Sequence, residues 1–207
     1  MRNYCFLFAT VLLISCNTTV SNETTVIETT SEEVADTTSA KKFWNKLVSL
    51  CGKSFEGQLT TEDYSGDFAG KKLVMHVLSC DEKQILIPFN VGENRSRTWI
   101  LTYDRAQITL KHDHRHEDGS SDEITMYGGS SNNSGSAEMI TFPADQETVD
   151  IIPDAFANIW WITVNDSIYS YNLRRVSGDR KFSVAFDLTK EIETPEPSWG
   201  WENFSKP

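Results

Sequence analysis

The sequence predicts an all-β fold: an antiparallel meander of about ten strands, closed or nearly closed into a barrel, with one short N-terminal helix. Three observations predict it. From residue 54 onward, short apolar or alternating runs follow one another, the pattern of half-buried strands. Turn residues separate them, at Ser65-Gly66-Asp67, Asp81-Glu82, Gly92-Glu93-Asn94, Asp118-Gly119, Gly128-Gly129 through Gly135, Asn165-Asp166 and Ser177-Gly178-Asp179. Most of the intervals are too short for parallel crossovers, so neighbouring strands run antiparallel. Closing into a barrel would remove the exposed edges of so long a meander, and a β-sandwich is the alternative.

The first 16 of the 207 residues read as a basic start and an apolar core ending in Leu13-Ile14-Ser15-Cys16, the layout of a secretory signal. No apolar run approaches the roughly 20 residues of a membrane-spanning helix, and the mean hydropathy is -0.39. From Asn17 to about Ala40 the chain turns to Thr, Ser and Glu, a composition that buries too little apolar surface to offset its ordering entropy. It reads as a flexible tether. The expected organisation is a signal over 1–15, a tether over 16–40 beginning at Cys16, and a barrel-like domain over 41–207.

Residues 41–51 place Phe43, Trp44, Leu47, Leu50 and Cys51 at helical spacing, with Gly52 as the stop. Strands are then expected near 54–59, 72–79, 84–90, 97–103, 106–112, 123–128, 136–142, 159–165, 168–174 and 181–188. The interval 145–158 reads as a short helix or lid broken at Pro153. Trp160 and Trp161 are adjacent, so one of them points inward. For the remaining aromatics, Trp199 and Trp201 included, packing in the core or as an end plug is the plain expectation.

Charge narrows the partners. The chain carries 30 acidic and 19 basic residues, a formal charge of -11; cutting before Cys16 removes one base, Arg2, and no acid, making it -12. A nucleic-acid partner held by phosphate contacts is excluded, and anionic lipid would repel the domain unless an anchor held it. Of four cysteines, Cys5 leaves with the signal and Cys16 becomes the first residue of the tether, so Cys51 and Cys80, the two within the domain, form the expected disulfide of an exported protein. No Cys-x-x-Cys spacing suggests redox or zinc chemistry.

Three resemblances accompany these readings. Leu13-Ile14-Ser15-Cys16 resembles the lipobox of bacterial lipoproteins, which implies lipidation of Cys16, attachment to a membrane and residence in the bacterial cell envelope. Gly52-Lys53-Ser54-Phe55-Glu56-Gly57 after a short helix resembles the glycine-aromatic opening of lipocalins and related calycin barrels, which implies a similar architecture. Gly92-Glu-Asn-Arg-Ser-Arg-Thr-Trp-Ile-Leu-Thr, with His112-Asp-His-Arg-His-Glu-Asp-Gly and Phe142-Pro-Ala-Asp, resembles a group of uncharacterised bacterial secreted proteins. That last likeness implies no activity.

The candidate site lies in one hairpin. His112, His114 and His116 alternate and so share a strand face. A tight turn at Asp104-Arg105 would set Trp99 against Leu110 and Leu101 against Ile108, with Arg97 opposite His112, Arg95 opposite His114 and Glu93 opposite His116. An apolar interior would then end in a polar mouth. Three alternating imidazoles could ligate zinc, copper or nickel, but two guanidiniums opposite them favour a carboxylate or phosphate instead. The candidate ligand-binding residues are therefore Arg95, Arg97, Trp99, His112, His114 and His116, with a solvated hairpin tip whose His, Arg, Asp and Glu pair with each other as the plain alternative; Lys111, on the other face, is expected to be idle. No nucleophile elbow, phosphate loop, His-Glu-x-x-His helix or dinucleotide fingerprint occurs, and no cofactor is implied. The sequence thus points to a binding protein for a small amphipathic or anionic molecule. A metal-dependent hydrolase built on the three histidines is one alternative, and a non-catalytic structural component of the envelope is the other.

Overall fold

The computed structural model describes residues 38–62, 64–132 and 135–204. Residues 1–37, on which the expected signal, Cys16 and nearly all of the expected tether fall, lie outside the described residues. The domain is an antiparallel sheet of eleven strands, nearly closed into a barrel, with a helix at its start.

Helix α1 (Ser39–Val48) forms because Thr38 caps it, its side chain accepting from Lys41 N at 3.2 Å, and because Ala40, Phe43, Trp44 and Leu47 recur on one face. All four are buried, and they plug one end of the barrel beside Tyr103, whose ring lies 5.4 Å from that of Trp44. The helix starts and stops earlier than the spacing predicts. After Val48 the chain tightens through Leu50 N to Leu47 O and Cys51 N to Val48 O, and Gly52 turns it with φ of 80°.

The strands are β1 (Ser54–Leu59), β2 (Leu73–His76), β3 (Ser79–Cys80), β4 (Gln84–Val91), β5 (Asn94–Asp104), β6 (Gln107–His114), β7 (Tyr127–Ser130), β8 (Met139–Pro143), β9 (Asn158–Val164), β10 (Ile168–Arg175) and β11 (Lys181–Ile192). Their order is β7-β6-β5-β4-β2-β1-β11-β10-β9-β8, with β3 paired to β4. The chain therefore returns on itself through the β1–β11 pairing, and β7 and β8 meet at the remaining seam. The single strand expected over 72–79 is broken because Val77 N bonds Lys53 O while Leu78 N bonds Leu86 O, so the chain changes neighbours there. Cys51 and Cys80 form a disulfide with Cα atoms 6.0 Å apart, tying the end of α1 to β3.

The β5–β6 hairpin turns at Arg105-Ala106, not at Asp104-Arg105. Both residues have positive φ, 44° and 67°, the geometry that matches strand twist in a two-residue hairpin. Moving the turn by one residue shifts the partners by two: Trp99 faces His112, Arg97 faces His114 and Leu101 faces Leu110. A shift of two preserves the faces, so Trp99, Leu101, Ile108, Leu110 and His112 all turn into the barrel.

At the seam, β7 begins later than expected, and Gly128-Gly129 belongs to a strand where the sequence suggests a turn. A Cβ at Gly129 would lie 1.8 Å from Pro143 O, and one at Gly128 would lie 1.9 Å from Leu110 O. The glycines let three backbones approach where side chains would hold them apart. Helix α2 (Gln146–Ile151) covers this seam, capped by Asp145, and a 3-10 turn at Pro153–Ala157 follows it. Its buried Thr148 hydroxyl accepts from Gly128 N at 2.6 Å and donates to Gly128 O at 2.7 Å, replacing ladder bonds. Lys111 spans the same gap, with Nζ 2.7 Å from both Asp145 and Glu147 carboxylates. The residue expected to be idle is a strut.

The C-terminal segment crosses the outer face of β4–β6. Ser198 Oγ donates to Asn90 Oδ1, Trp199 N to Arg95 O, and Trp201 Nε1 to Asp113 Oδ2 at 3.0 Å. This cover explains why outward-facing Asn90 and Asp113 are buried, and it places Trp201 outside the barrel, stacked under Arg115.

Candidate functional site

The barrel has unlike ends. Helix α1 fills one, where Lys46 pairs with Asp166 of the β9–β10 turn. At the other, a cavity of about 430 Å³ opens between the β1–β2 loop, the β6–β7 loop, α2 and the β10–β11 turn. Alternation along the strands builds its walls: β5 contributes Arg97 and Trp99, β6 His112 and His114, β9 Trp160, β10 Tyr171, Leu173 and Arg175. Phe89, Trp99 and Tyr171 form a continuous stack, with centroids 4.7 and 4.4 Å apart and planes within 18°.

Two histidines are held by tyrosines. His112 Nδ1 lies 2.9 Å from the Tyr127 carbonyl and Nε2 lies 2.7 Å from the Tyr171 hydroxyl. A carbonyl only accepts, so Nδ1 carries the proton and Nε2 accepts from Tyr171. Burial holds His112 near a pKa of about 3, and it is neutral. The Tyr127 ring stacks on His112 at 4.6 Å, and its hydroxyl lies 3.1 Å from His114 Nε2. Burial, with Arg97 next in weight, lowers His114 to about 4, while burial pushes Tyr127 up to about 12.

Cations line the rim. Arg97 lies 5.3 Å over the Phe68 ring and donates to Asn94 Oδ1 at 2.9 Å, and burial draws its pKa down. Arg175 Nε donates to Asn158 Oδ1 at 3.0 Å. Arg180 and Lys181 complete the set, against one lining carboxylate among the described residues, Asp122. Among the described residues, no carboxylate lies within ion-pair distance of any of the four.

Of the residues singled out from sequence, Arg97, Trp99, His112 and His114 line this cavity. Arg95 does not: it donates to Pro197 O at 2.8 Å and lies 3.9 Å from Glu196, beneath the C-terminal segment. His116 lies past the end of β6 and is exposed. The three histidines therefore do not converge on one point, and both nitrogens of His112 are already engaged. Among the described residues, no group of three or more His, Cys, Asp and Glu is placed to hold a metal ion. His76, on β2, accepts or donates one bond to Ser54 Oγ at 2.8 Å inside the wall, away from the cavity.

Sequence reasoning missed Arg175, Arg180, Lys181, Tyr127 and Tyr171, while of the adjacent pair Trp160 and Trp161 it is Trp160 that points inward and lines the cavity. The β10 alternation Tyr169, Tyr171, Leu173, Arg175 carries the same signal that led from Trp99 to Arg97, an apolar face running into a guanidinium. What the alternation lacks is the knowledge that β10 and β5 face each other across one lumen. Compared with known proteins, the chain matches no family model, no curated protein and no solved structure.

Proposed function

We propose that the protein is a lipid-anchored binding protein of the bacterial cell envelope, which holds a small amphipathic anion in the open end of its barrel. One observation carries this reading: four cations without carboxylate partners among the described residues line an aromatic cavity, in a chain whose overall charge is -11. Burying part of a guanidinium such as Arg97 without a counter-ion is costly, and a bound anion would offset that cost. The aromatic walls below suit an apolar body, and the volume falls within the range of roughly 300 to 1,000 Å³ usual for small-molecule sites. Attachment rests on Cys16 at the end of the signal, with acyl chains each contributing about 0.8 kcal/mol per buried CH₂.

The test uses 8-anilinonaphthalene-1-sulfonate as a probe anion, together with mass spectrometry of whatever co-purifies under native conditions. Arg97→Ala should weaken the probe by roughly 1.5 to 3 kcal/mol, the worth of a charge-assisted bond. Unchanged affinity would remove the site. Acyl chains on the mature amino terminus, lost in Cys16→Ala along with membrane fractionation, are the expected result for the anchor.

A further inference from the structure

The inner wall of the cavity has a different hydrogen-bonding character from its rim. Tyr171 spends its only proton on His112 Nε2, because His112 Nδ1 must donate to the Tyr127 carbonyl. Its oxygen therefore offers lone pairs alone. The adjoining Tyr127–His114 contact contains two hydrogens, one on each neutral group, and one acceptor nitrogen. Whichever partner donates there, that contact uses only one of the two hydrogens. Among the groups that line the cavity, the Tyr171 oxygen is thus an uncharged acceptor whose own hydrogen is already committed.

A carboxylate or phosphate only accepts, so against the Tyr171 oxygen it would meet lone pairs with no hydrogen to share. A hydroxyl or a primary amide both donates and accepts. From this we infer that the ligand is a bipolar molecule, an apolar or aromatic body with an anionic group at one end and a hydroxyl or amide at the other. It binds with the anion at Arg97 and its neighbours and the neutral group donating to Tyr171 Oη. This inference rests on the binding reading above and assigns the ligand's class and its direction.

Two probes that differ by one hydroxyl test it: cinnamate, and 4-hydroxycinnamate, which carries a hydroxyl at the end remote from its carboxylate. Calorimetric titration of the mature chain should show 4-hydroxycinnamate binding at least tenfold more tightly than cinnamate. Tyr171→Phe, which keeps the ring that stacks on Trp99, should abolish that preference, and Arg97→Ala should weaken both probes by a similar factor. Thermal melting of Tyr171→Phe checks that it folds, and the comparison on the unsubstituted protein needs no variant at all. Equal affinities on the unsubstituted protein, or a preference that survives in folded Tyr171→Phe, overturn the inference and leave the anion site standing. The same holds if neither cinnamate binds while the naphthalene sulfonate does. If none of the three binds, the anion site falls and the inference falls with it.

Discussion

Strand β6 is held differently on its two sides. Toward β5 it makes eight residue pairs, from Arg97 and His114 to Asp104 and Gln107, through a two-residue turn. Toward β7 it makes four, and beyond β7 the sheet is completed by Thr148 and Lys111 side chains together with one backbone bond, Asp145 N to Gly128 O. The hairpin is a local structure, whose strands are neighbours in sequence and whose inner residues alternate. The seam joins elements across a loop and a helix, and it depends on glycines that contribute no packing of their own. A barrel can therefore be specified over most of its circumference by periodicity, yet be closed by a few residues whose role is steric.

The largest effect should be common to both regions. The Cys51–Cys80 bridge closes a loop of 29 residues at the far end, worth about 3.5 kcal/mol on the chain-entropy model. Reduction should lower the melting temperature by roughly 10 °C while leaving probe binding intact at 25 °C. Loss of binding without loss of fold would show the two ends to be coupled.

Gly129→Ala attacks the seam alone. Its Cβ would fall on Pro143 O, so it should cost about 3 kcal/mol, the upper range for overpacking. Gly178→Ala, in the β10–β11 turn with nothing within 4 Å of the added carbon, is the control and should change little. Equal melting temperatures for the two variants would mean that the seam tolerates separation.

Acid should act on the inner face of the hairpin. The folded-state pKa of His112, about 3, and of His114, about 4, lie below the ordinary 6.5, so the unfolded chain binds these protons first. Stability is then complete above about pH 6.5 and falls as the pH drops toward 4 and then 3. For His112 the loss at pH 5 is on the order of 2 kcal/mol. Melting temperatures taken between pH 8 and 5 should fall less steeply for His112→Gln than for the unsubstituted protein. Parallel slopes would show that His112 is not buried as described.

Lys111→Ala is the gentlest probe of the seam. Its ammonium joins β6 to Asp145 and Glu147 from a side chain only 16% exposed, and Glu147 itself is largely solvated. The expected loss is about 1 kcal/mol. A double-mutant cycle with Asp145→Asn should return a coupling of the same order, and no coupling would make the strut ornamental.

Much of this was legible in the chain. The inward positions of β5 and β6 follow from alternation and survived an error in the turn, because the partners moved by two residues and faces repeat every two. The error arose because Arg105 and Ala106 carry the positive φ angles that glycine or asparagine usually signals. Gly128-Gly129 misled in the opposite sense, since a close backbone approach and a turn select the same residue.

By itself, then, the sequence determined what a two-residue period and local chemistry can carry: antiparallel strands, a capped helix, paired cysteines, and an apolar face on β5 that ends in Arg97. Only the tertiary structure decided which faces meet. It brought Tyr171 to His112 across 59 residues and Trp201 to Asp113 across 88, and it set Arg175, Arg180 and Lys181 beside Arg97 at one mouth. Periodicity records which side of a strand a residue occupies. It does not record the shear and closure of the sheet, which are settled by the packing of all eleven strands at once.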